Sequence, residues 1–405
     1  MKTNSKDRER AMSKNVVLLL VLILLTATGI NIANSASSIE AKENSWTELA
    51  PIQPKFLYSY GAAVVNGTIY FMGADINEQY NPQSDTWTSK NPPPIFFGYI
   101  TAVTACQNKI HVIGRTAHMV YDPAIDTWEN RTPMPTERYT NVANVIDGKI
   151  YVISGGIPGF IAQYLTSSAN EVYDPENDSW AKLEPIPTSV SEYASVVLDN
   201  KIHIIGGREK GNGPRPPPIT SVQIYDPKTN KWTEGTPLEE PVAGAAAIAT
   251  TGLMAPKRIY VIGGDAMLAG NHLVSYSDHN QIYNPQTESW DFGVQMPTGR
   301  SNLALVNVDD TLYALGGTNK TGSVPFIPWD ASEEEERAAW DTEIASRVTH
   351  ANERYTPIEY RKVSPSPSPT LPSEEQPTTI FIAIGTGIMA AVGVGFILYF
   401  KKRKH

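Results

Sequence analysis

The chain has 405 residues, of which 41% are hydrophobic and 19% are charged. Its net charge is −9, but residues 15–400 hold 24 Lys and Arg against 40 Asp and Glu, a net charge of about −16. So acidic a body argues against nucleic acid as a partner, and a single cysteine, Cys106, excludes a disulfide within one chain.

Residues 1–36 have the organisation of a secretory signal. Five Lys and Arg within residues 1–14 precede an uncharged apolar stretch, Val16–Ile30, and small residues come next at Ala33-Asn34-Ser35-Ala36. This order predicts that the residues after position 36 are exported. It fits both a cleaved signal peptide and an uncleaved signal anchor.

A repeat occupies the central part of the chain, and it is marked by tryptophans at intervals of 41, 41, 52, 52 and 58 residues. Short runs of β-branched and aromatic residues between turn residues predict four strands per copy, here named a to d. Strand b of the third copy ends at a glycine pair, strand c ends in a Tyr-Asp-Pro turn, and strand d holds the tryptophan. These segments are Lys149-Ile150-Tyr151-Val152-Ile153, Gly155-Gly156, Val172-Tyr173-Asp174-Pro175 and Trp180.

The joint recurrence of the glycine pair, the Tyr-Asp-Pro turn and the tryptophan resembles the kelch repeat, over Ser45–Arg361. The resemblance implies that each copy is one four-stranded blade of a β-propeller. Six a–b pairs predict six blades. Because Trp46 precedes any strand a, we expect its segment to supply strand d of blade six and so close the ring. The six tryptophans should lie between blades: Trp46, Trp87, Trp128, Trp180, Trp232 and Trp290.

The predicted fold is therefore all-β, a six-bladed kelch-type propeller with N-terminal strand closure, plus one C-terminal transmembrane helix. A helical insertion is predicted within the b–c connection 318–351 of blade six, because Ser332–Glu336 has the form of a capping box. Residues 362–379 are rich in Pro and Ser, which predicts a stalk.

Ile380–Phe400 is uncharged and would span about 31 Å as a helix, which matches a bilayer core. The basic tail 401–405 should stay cytoplasmic. The chain is thus predicted to be a single-pass protein of the cell membrane with an extracellular propeller. Small residues at four-residue intervals in this span (Ala383, Gly387, Ala391, Gly395) would permit a homodimer, although such residues are also common in membrane helices.

Antiparallel strands place the d–a and b–c connections on one face of a propeller and the a–b and c–d turns on the other. The long connections are the b–c ones, so binding is expected on that face. Aromatic and charged residues in the d–a segments suit a sugar or an extended peptide, while some of the aromatics would instead fill gaps between blades. The candidates are Tyr58, Tyr60, Phe97, Tyr99, Arg138, Tyr139, Glu192 and Arg300.

Two functions fit these residues. The first is a non-catalytic adhesion or recognition module for an extracellular protein or glycan. The alternative is an exported sugar-processing enzyme that resembles the six-bladed sialic acid epimerases, with Glu192 as acid–base group and Arg138 or Arg300 as carboxylate clamp.

No catalytic residue, metal ligand or cofactor is assigned from the sequence. Copper-radical oxidases of the galactose oxidase type are disfavoured because Cys106 falls in a strand and His111 and His203 occupy the tyrosine position of strand b. His118 is predicted to lie in a loop. Four sequons predict N-glycosylation, at Asn66, Asn130, Asn177 and Asn319.

Overall fold

The computed structural model describes residues 42–52, 60–73, 76–94, 102–139, 142–157, 163–212, 216–267, 274–319 and 349–360. The predicted signal, most of the predicted blade-six insertion, the predicted stalk and the predicted transmembrane helix lie outside these ranges. The described residues up to Glu359 belong to one compact unit. The ranges contain β-structure and no helix, so no described helix is long and apolar enough to cross a membrane.

After a short first strand, the main strands follow one another in groups of four, with short additional strands in the connections of blades three to five and only three strands in the last group. The first strand and blade one comprise β1 (Ser45–Glu48), β2 (Tyr60–Val65), β3 (Thr68–Gly73), β4 (Asn77–Asn81) and β5 (Thr86–Ser89). Blade two comprises β6 (Ala102–Cys106), β7 (Lys109–Gly114), β8 (Ala117–Asp122) and β9 (Thr127–Asn130). Blade three comprises β10 (Ala143–Ile146), β11 (Lys149–Ile153), the short β12 (Gln163–Tyr164), β13 (Asn170–Asp174) and β14 (Ser179–Lys182).

The last three blades carry more short strands in their connections. Blade four comprises β15 (Val190–Ser191), β16 (Ala194–Leu198), β17 (Lys201–Ile205), β18 (Arg208–Glu209), β19 (Gly211–Asn212), β20 (Val222–Asp226) and β21 (Lys231–Glu234). Blade five comprises β22 (Ala246–Ala249), β23 (Ile259–Ile262), β24 (Asp265–Met267), β25 (Val274–Tyr276), β26 (Asn280–Asn284) and β27 (Ser289–Phe292). Blade six comprises β28 (Ala304–Val308), β29 (Thr311–Leu315) and β30 (Asn352–Thr356).

Within the described ranges these strands form six four-stranded antiparallel sheets in the order a–b–c–d. Strand a is innermost, and each strand a contacts the strand a of the next blade, through to β28 with β2. The strand d of blade six is β1, which pairs with β30 from Ser45 opposite Thr356 to Glu48 opposite Glu353. The six-bladed ring and its N-terminal closure are therefore confirmed.

The hydrophobic core is divided among the interfaces between neighbouring blades. Each buried cluster of the described residues draws on two adjacent blades, as Tyr151 and Ile202 do between blades three and four. A buried strand-b ring meets the strand-c tyrosine of the next blade at centroid distances of 5.8–6.3 Å at five interfaces. Because the buried apolar surface lies between sheets, a single blade cannot bury its faces alone.

The tryptophans form a second connection between blades. Each indole nitrogen donates a hydrogen bond of 2.8–3.0 Å to the backbone carbonyl four residues after the tryptophan of the preceding blade. Trp87, for example, bonds to Ala50 O, and Trp46 completes the series by bonding to Val294 O. The predicted place of the six tryptophans between blades is confirmed.

Candidate binding face

The b–c and d–a connections lie at one end of the blades and form the loop face; the a–b and c–d turns form the turn face. Three two-stranded sheets occur in the described ranges, and all lie on the loop face. They pair β12 with β19, β15 with β18, and β24 with β25. Where the structure describes it, the loop face therefore contains hydrogen-bonded backbone ladders that join its connections.

Arg138 and Arg300 do not project into an open mouth, as a ligand-binding role would require. Both residues are 0% exposed. Arg138 pairs with Glu171 at 2.5 Å and donates to Thr136 O and Val152 O. Arg300 makes the same set of bonds, to Glu353 at 2.7 Å, Thr298 O and Ala314 O. Each arginine thus joins the d–a segment in which it lies to strands b and c of its own blade.

The repeat itself explains this use of arginine. Blades four and five carry valine where blades three and six carry these arginines, and glutamine where the others carry the paired glutamate. Gln223 exchanges two hydrogen bonds of 2.9 Å with the backbone of Thr188. In blade four an uncharged side chain therefore joins strand c to the d–a segment. The sequence does not reveal that Arg138 is buried, because Glu171 lies 33 residues away.

Tyr60 lies at the seam between blades one and six. Its hydroxyl accepts a hydrogen bond from Gly317 N, and its ring packs on Phe71 with centroids 4.8 Å apart. Burial raises the pKa of the Tyr60 phenol, an effect that the Gly317 bond and the charge of Arg300 only partly offset. Gly317 has a φ of 108°, and a Cβ there would lie 2.8 Å from Arg300 Cδ, so this position requires glycine.

Glu192 pairs with an arginine that is not among the sequence candidates. Arg208, buried, donates from Nε to Glu192 at 2.9 Å and also bonds to Asp265 and to Pro216 O. The Glu192 side chain is 20% exposed, and its backbone has a φ of 53°. Arg208 and Asp265 each follow the glycine pair that ends strand b, and comparing that position across the repeats would have indicated them.

Tyr139 is half-buried and belongs to an accessible surface between blades two and three. The Arg115 guanidinium lies 5.5 Å from its ring centroid, and its backbone exchanges two hydrogen bonds with Gly156. Ile157, the residue after Gly156, donates its backbone N–H to Leu165 O. The side chains of Ile157 and Leu165 are 40% and 37% exposed. Arg115, Tyr139, Ile157 and Leu165 are called the Tyr139 patch.

Tyr58, Phe97 and Tyr99 lie outside the described residues, so their positions stay predictions. Of the eight candidates, the structure thus places Tyr139 and Glu192 in partly accessible positions and Arg138 and Arg300 in the interior. Glu192 is paired with neither of those arginines. This separation does not favour the acid–base and clamp pairing that the enzyme alternative requires.

His118 is in a strand, contrary to the sequence prediction, and it contacts His111 at 3.0 Å in the interior. Cys106 lies in β6 and is buried, and burial raises the pKa of its thiol. Among the described residues no group of three or more His, Cys, Asp or Glu side chains is arranged to hold a metal ion.

The glycosylation sequons lie at both ends of the blades. Asn66 and Asn177 are exposed in an a–b and a c–d connection, so both lie on the turn face. Asn130 is exposed at the end of an outer strand, and Asn319 follows strand b of blade six on the loop face.

This architecture defines the chain as a six-bladed β-propeller. It resembles the structure of YjhT with a TM-score of 0.59 and 18% identity, over 67% of this chain and 93% of that one. At this identity the likeness concerns the fold alone.

Residues 190–239 match the Kelch motif. Kelch-like protein 26 of Danio rerio is 28% identical over 43% of this chain and 26% of its own length. Kelch repeat and BTB domain-containing protein 12 of Homo sapiens is 28% identical over 42% and 28%, respectively. The motif match and these relatives support the resemblance to kelch-repeat proteins, and the matches span about a quarter of the length of the two relatives.

Proposed function

We propose that this protein is a cell-surface binding module that holds a protein ligand on the loop face of its propeller. The Tyr139 patch carries the proposal. It combines an aromatic ring, a guanidinium group and two exposed aliphatic side chains on backbone that is already hydrogen-bonded. Tyrosine and arginine are enriched at the centres of protein interfaces, and a rigid backbone lowers the ordering cost of binding.

The course of the chain supports an accessible loop face. The end of β1 that begins at Ser45 and the end of β30 at Thr356 are paired on the turn face. Beyond these strand ends, Glu359 N donates a hydrogen bond of 3.1 Å to a carboxylate oxygen of Glu43. The first and last described segments of the propeller therefore lie side by side. The described chain therefore begins and ends on the turn face, opposite the Tyr139 patch.

A protein ligand is favoured over a glycan or a reaction. Ile157 and Leu165 offer apolar surface and no side-chain hydrogen bond, which suits an apolar anchor of a protein better than a sugar. The similar proteins carry kelch names, and residues 190–239 of this chain match the Kelch motif. Enzymatic processing of a sugar would need an accessible arginine beside Glu192, whereas Arg208 there is buried and paired.

Site-specific photo-crosslinking on intact cells tests this proposal. A photoreactive residue replaces Leu165 on the loop face in the full chain. The matched control replaces Leu253 on the turn face, which is 82% exposed. We expect a discrete adduct from position 165 and none from position 253. The partner recovered from the adduct should then bind the purified full chain, with Tyr139→Ala weakening the affinity about tenfold or more.

Adducts at position 253 alone, or a Tyr139→Ala variant with unchanged affinity, would contradict the use of the loop face. A glycan array probed with the same chain tests whether it binds a sugar instead.

The localisation has a separate test: protease added to intact cells should release the propeller by cutting within residues 364–379. A propeller that stays protected in intact cells and is cut after permeabilisation would show the opposite orientation.

A further inference from the structure

Two buried histidines meet in blade two. His111 in β7 and His118 in β8 are 4% and 2% exposed, and His111 Nδ1 lies 3.0 Å from His118 Nε2. Their ring centroids are 5.2 Å apart. Neither side chain takes part in the proposed binding face.

The pair is specific to this blade. Four of the other blades have tyrosine at the position of His111 (Tyr70, Tyr151, Tyr260 and Tyr313) and asparagine at the position of His118 (Asn77, Asn170, Asn280 and Asn352). Blade four has His203 at the first position but Val222 at the second, so it holds one imidazole. In four blades of this chain, uncharged tyrosine and asparagine therefore occupy the two positions.

The hydrogen bonds fix how protons are arranged in the neutral pair. His118 Nδ1 lies 3.3 Å from Thr132 O, and a carbonyl only accepts, so Nδ1–H of His118 donates. His118 Nε2 is then the acceptor for Nδ1–H of His111. A proton added to His118 Nε2 would set two N–H donors against each other. A proton added to His111 would keep the bond but bury a charge.

The groups that face the pair give little support to a charge. Burial, then His118, Arg131 and Lys109, lower the pKa of His111 to about 3. Burial lowers the pKa of His118 to about 4, although the Thr132 carbonyl and Asp178 act in the opposite direction. The carboxylate of Asp178 is itself bonded to Tyr173, and that of Glu129 is held by Lys109 and Arg131.

The pair also lies against the junction with blade three. The His118 ring is 4.4 Å from that of Tyr173 and 5.9 Å from that of Trp180. Thr132 O, which accepts from His118, also accepts the Trp180 indole N–H at 2.9 Å. A displacement of His118 would therefore disturb one of the hydrogen bonds that join the two blades.

We propose that the His111–His118 pair makes the junction between blades two and three acid-sensitive, so that protonation opens this junction before the other interfaces of the ring. Opening lets both rings reach water and take up protons, and it separates two N–H groups that would otherwise face each other. The cause is local, because blade two alone carries both imidazoles.

Hydrogen exchange of the full chain in detergent, measured by mass spectrometry at pH 7.5 and 4.5 and corrected for intrinsic rates, tests the proposal. Between pH 7.5 and 4.5, peptides at the junction of blades two and three (β8, β9, β13 and β14) should lose protection. The loss should be roughly tenfold to hundredfold larger than in peptides at the junction of blades five and six (β26, β27 and β30). His118→Asn, the residue of four other blades, should abolish this difference. His203→Tyr, the matched control in blade four, should leave it unchanged.

Equal protection at the two junctions of the wild type, or an unchanged acid response in His118→Asn, would overturn the proposal. His111→Tyr serves as a second variant if His118→Asn fails to fold. The wild type also offers an independent readout, the pH dependence of exchange at the imidazole C2 positions. A midpoint near 6.5 for both rings would contradict the buried pair, whereas midpoints well below 6.5 would support it.

Discussion

Buried ion pairs show how single residues hold this ring together. Arg138 and Glu171 have no exposed side-chain surface, so removing one partner leaves the other charged and buried. Blades four and five perform the same structural task with valine and glutamine. The Arg–Glu ion pair is therefore one of two arrangements that join these strands, and neither arrangement requires a ligand.

Arg138→Ala should lower the free energy of unfolding by about 3–5 kcal/mol, because Glu171 would lose its counter-charge in the interior. The double variant Arg138→Val with Glu171→Gln should recover most of this loss, since it copies the arrangement of blade four. Chemical denaturation of the full chain measures both. Lys149→Ala, which breaks the exposed Lys149–Asp174 pair in the same blade, is the control and should leave the midpoint unchanged. A double variant as unstable as the single one would contradict this explanation.

Among the elements, β1 differs from every other strand d because no turn joins it to strand c of its own blade. It is held by the β30 ladder, by the Trp46 bond to Val294 O and by the Trp46–Tyr355 contact at 5.2 Å. The Tyr355 hydroxyl also donates to Asn44, in the role that Asp85 has for Tyr80 in blade one. The propeller thus depends on four residues of strand to stay closed.

Trp46→Ala should destabilise the propeller by about 3 kcal/mol, because it removes both a buried ring face and the closing hydrogen bond. Limited proteolysis should then cut first in the segments around β30. Glu48→Ala, at an exposed position of the same strand, is the control. Removing residues 42–50 should abolish the cooperative transition. A truncated chain that melts like the parent would disprove closure by β1.

A second element stands out on the turn face. Five a–b connections are two-residue turns, whereas that of blade five has nine residues, 250–258. The buried carboxylate of Asp310 accepts hydrogen bonds from the backbone of Thr251, Leu253, Met254 and Ala255. Burial alone would raise the pKa of Asp310, but these bonds outweigh it and hold the pKa below its usual value. The loop is therefore ordered by a residue of the neighbouring blade.

Asp310→Asn should destabilise the protein by about 2–3 kcal/mol and open the loop to protease, because an amide group cannot accept on both sides. Asp309→Asn provides a matched control, since Asp309 is the exposed neighbour in the same turn. Peptide mapping after brief proteolysis would show the result. If both variants are cut equally slowly in residues 250–258, Asp310 does not order the loop.

At the scale of the whole molecule, buried imidazoles should limit stability in acid. Burial lowers the pKa of His203 from 6.5 to about 4, and those of His111 and His118 are lowered too. Between pH 6.5 and 4 the unfolded chain then binds more protons than the folded one, so the free energy of unfolding falls as the pH falls. For His203 alone the loss by pH 4 is about 3 kcal/mol.

Denaturation midpoints measured from pH 7.5 to 4 should therefore decline, and His203→Tyr should flatten the decline. At neutral pH this variant should match the parent, since tyrosine occupies the same position in four blades. A decline of equal slope in both proteins would show that His203 is not responsible. Below pH 3.8 a further loss is expected as Asp310 becomes protonated, because its folded pKa lies below that value.

The sequence by itself determined the number of blades, the strand order and the closing role of Trp46. These features repeat locally along the chain, and an unmatched tryptophan at the start has one natural place in a closed ring. The tertiary structure alone decided which polar residues are accessible. Whether Arg138 faces water depends on Glu171, whether His118 is in a strand depends on its pairing with β7, and the Tyr139 patch is assembled from two blades. Such positions are set by contacts between segments far apart in the chain, and the local residue pattern that predicts the strands does not show which of these contacts form.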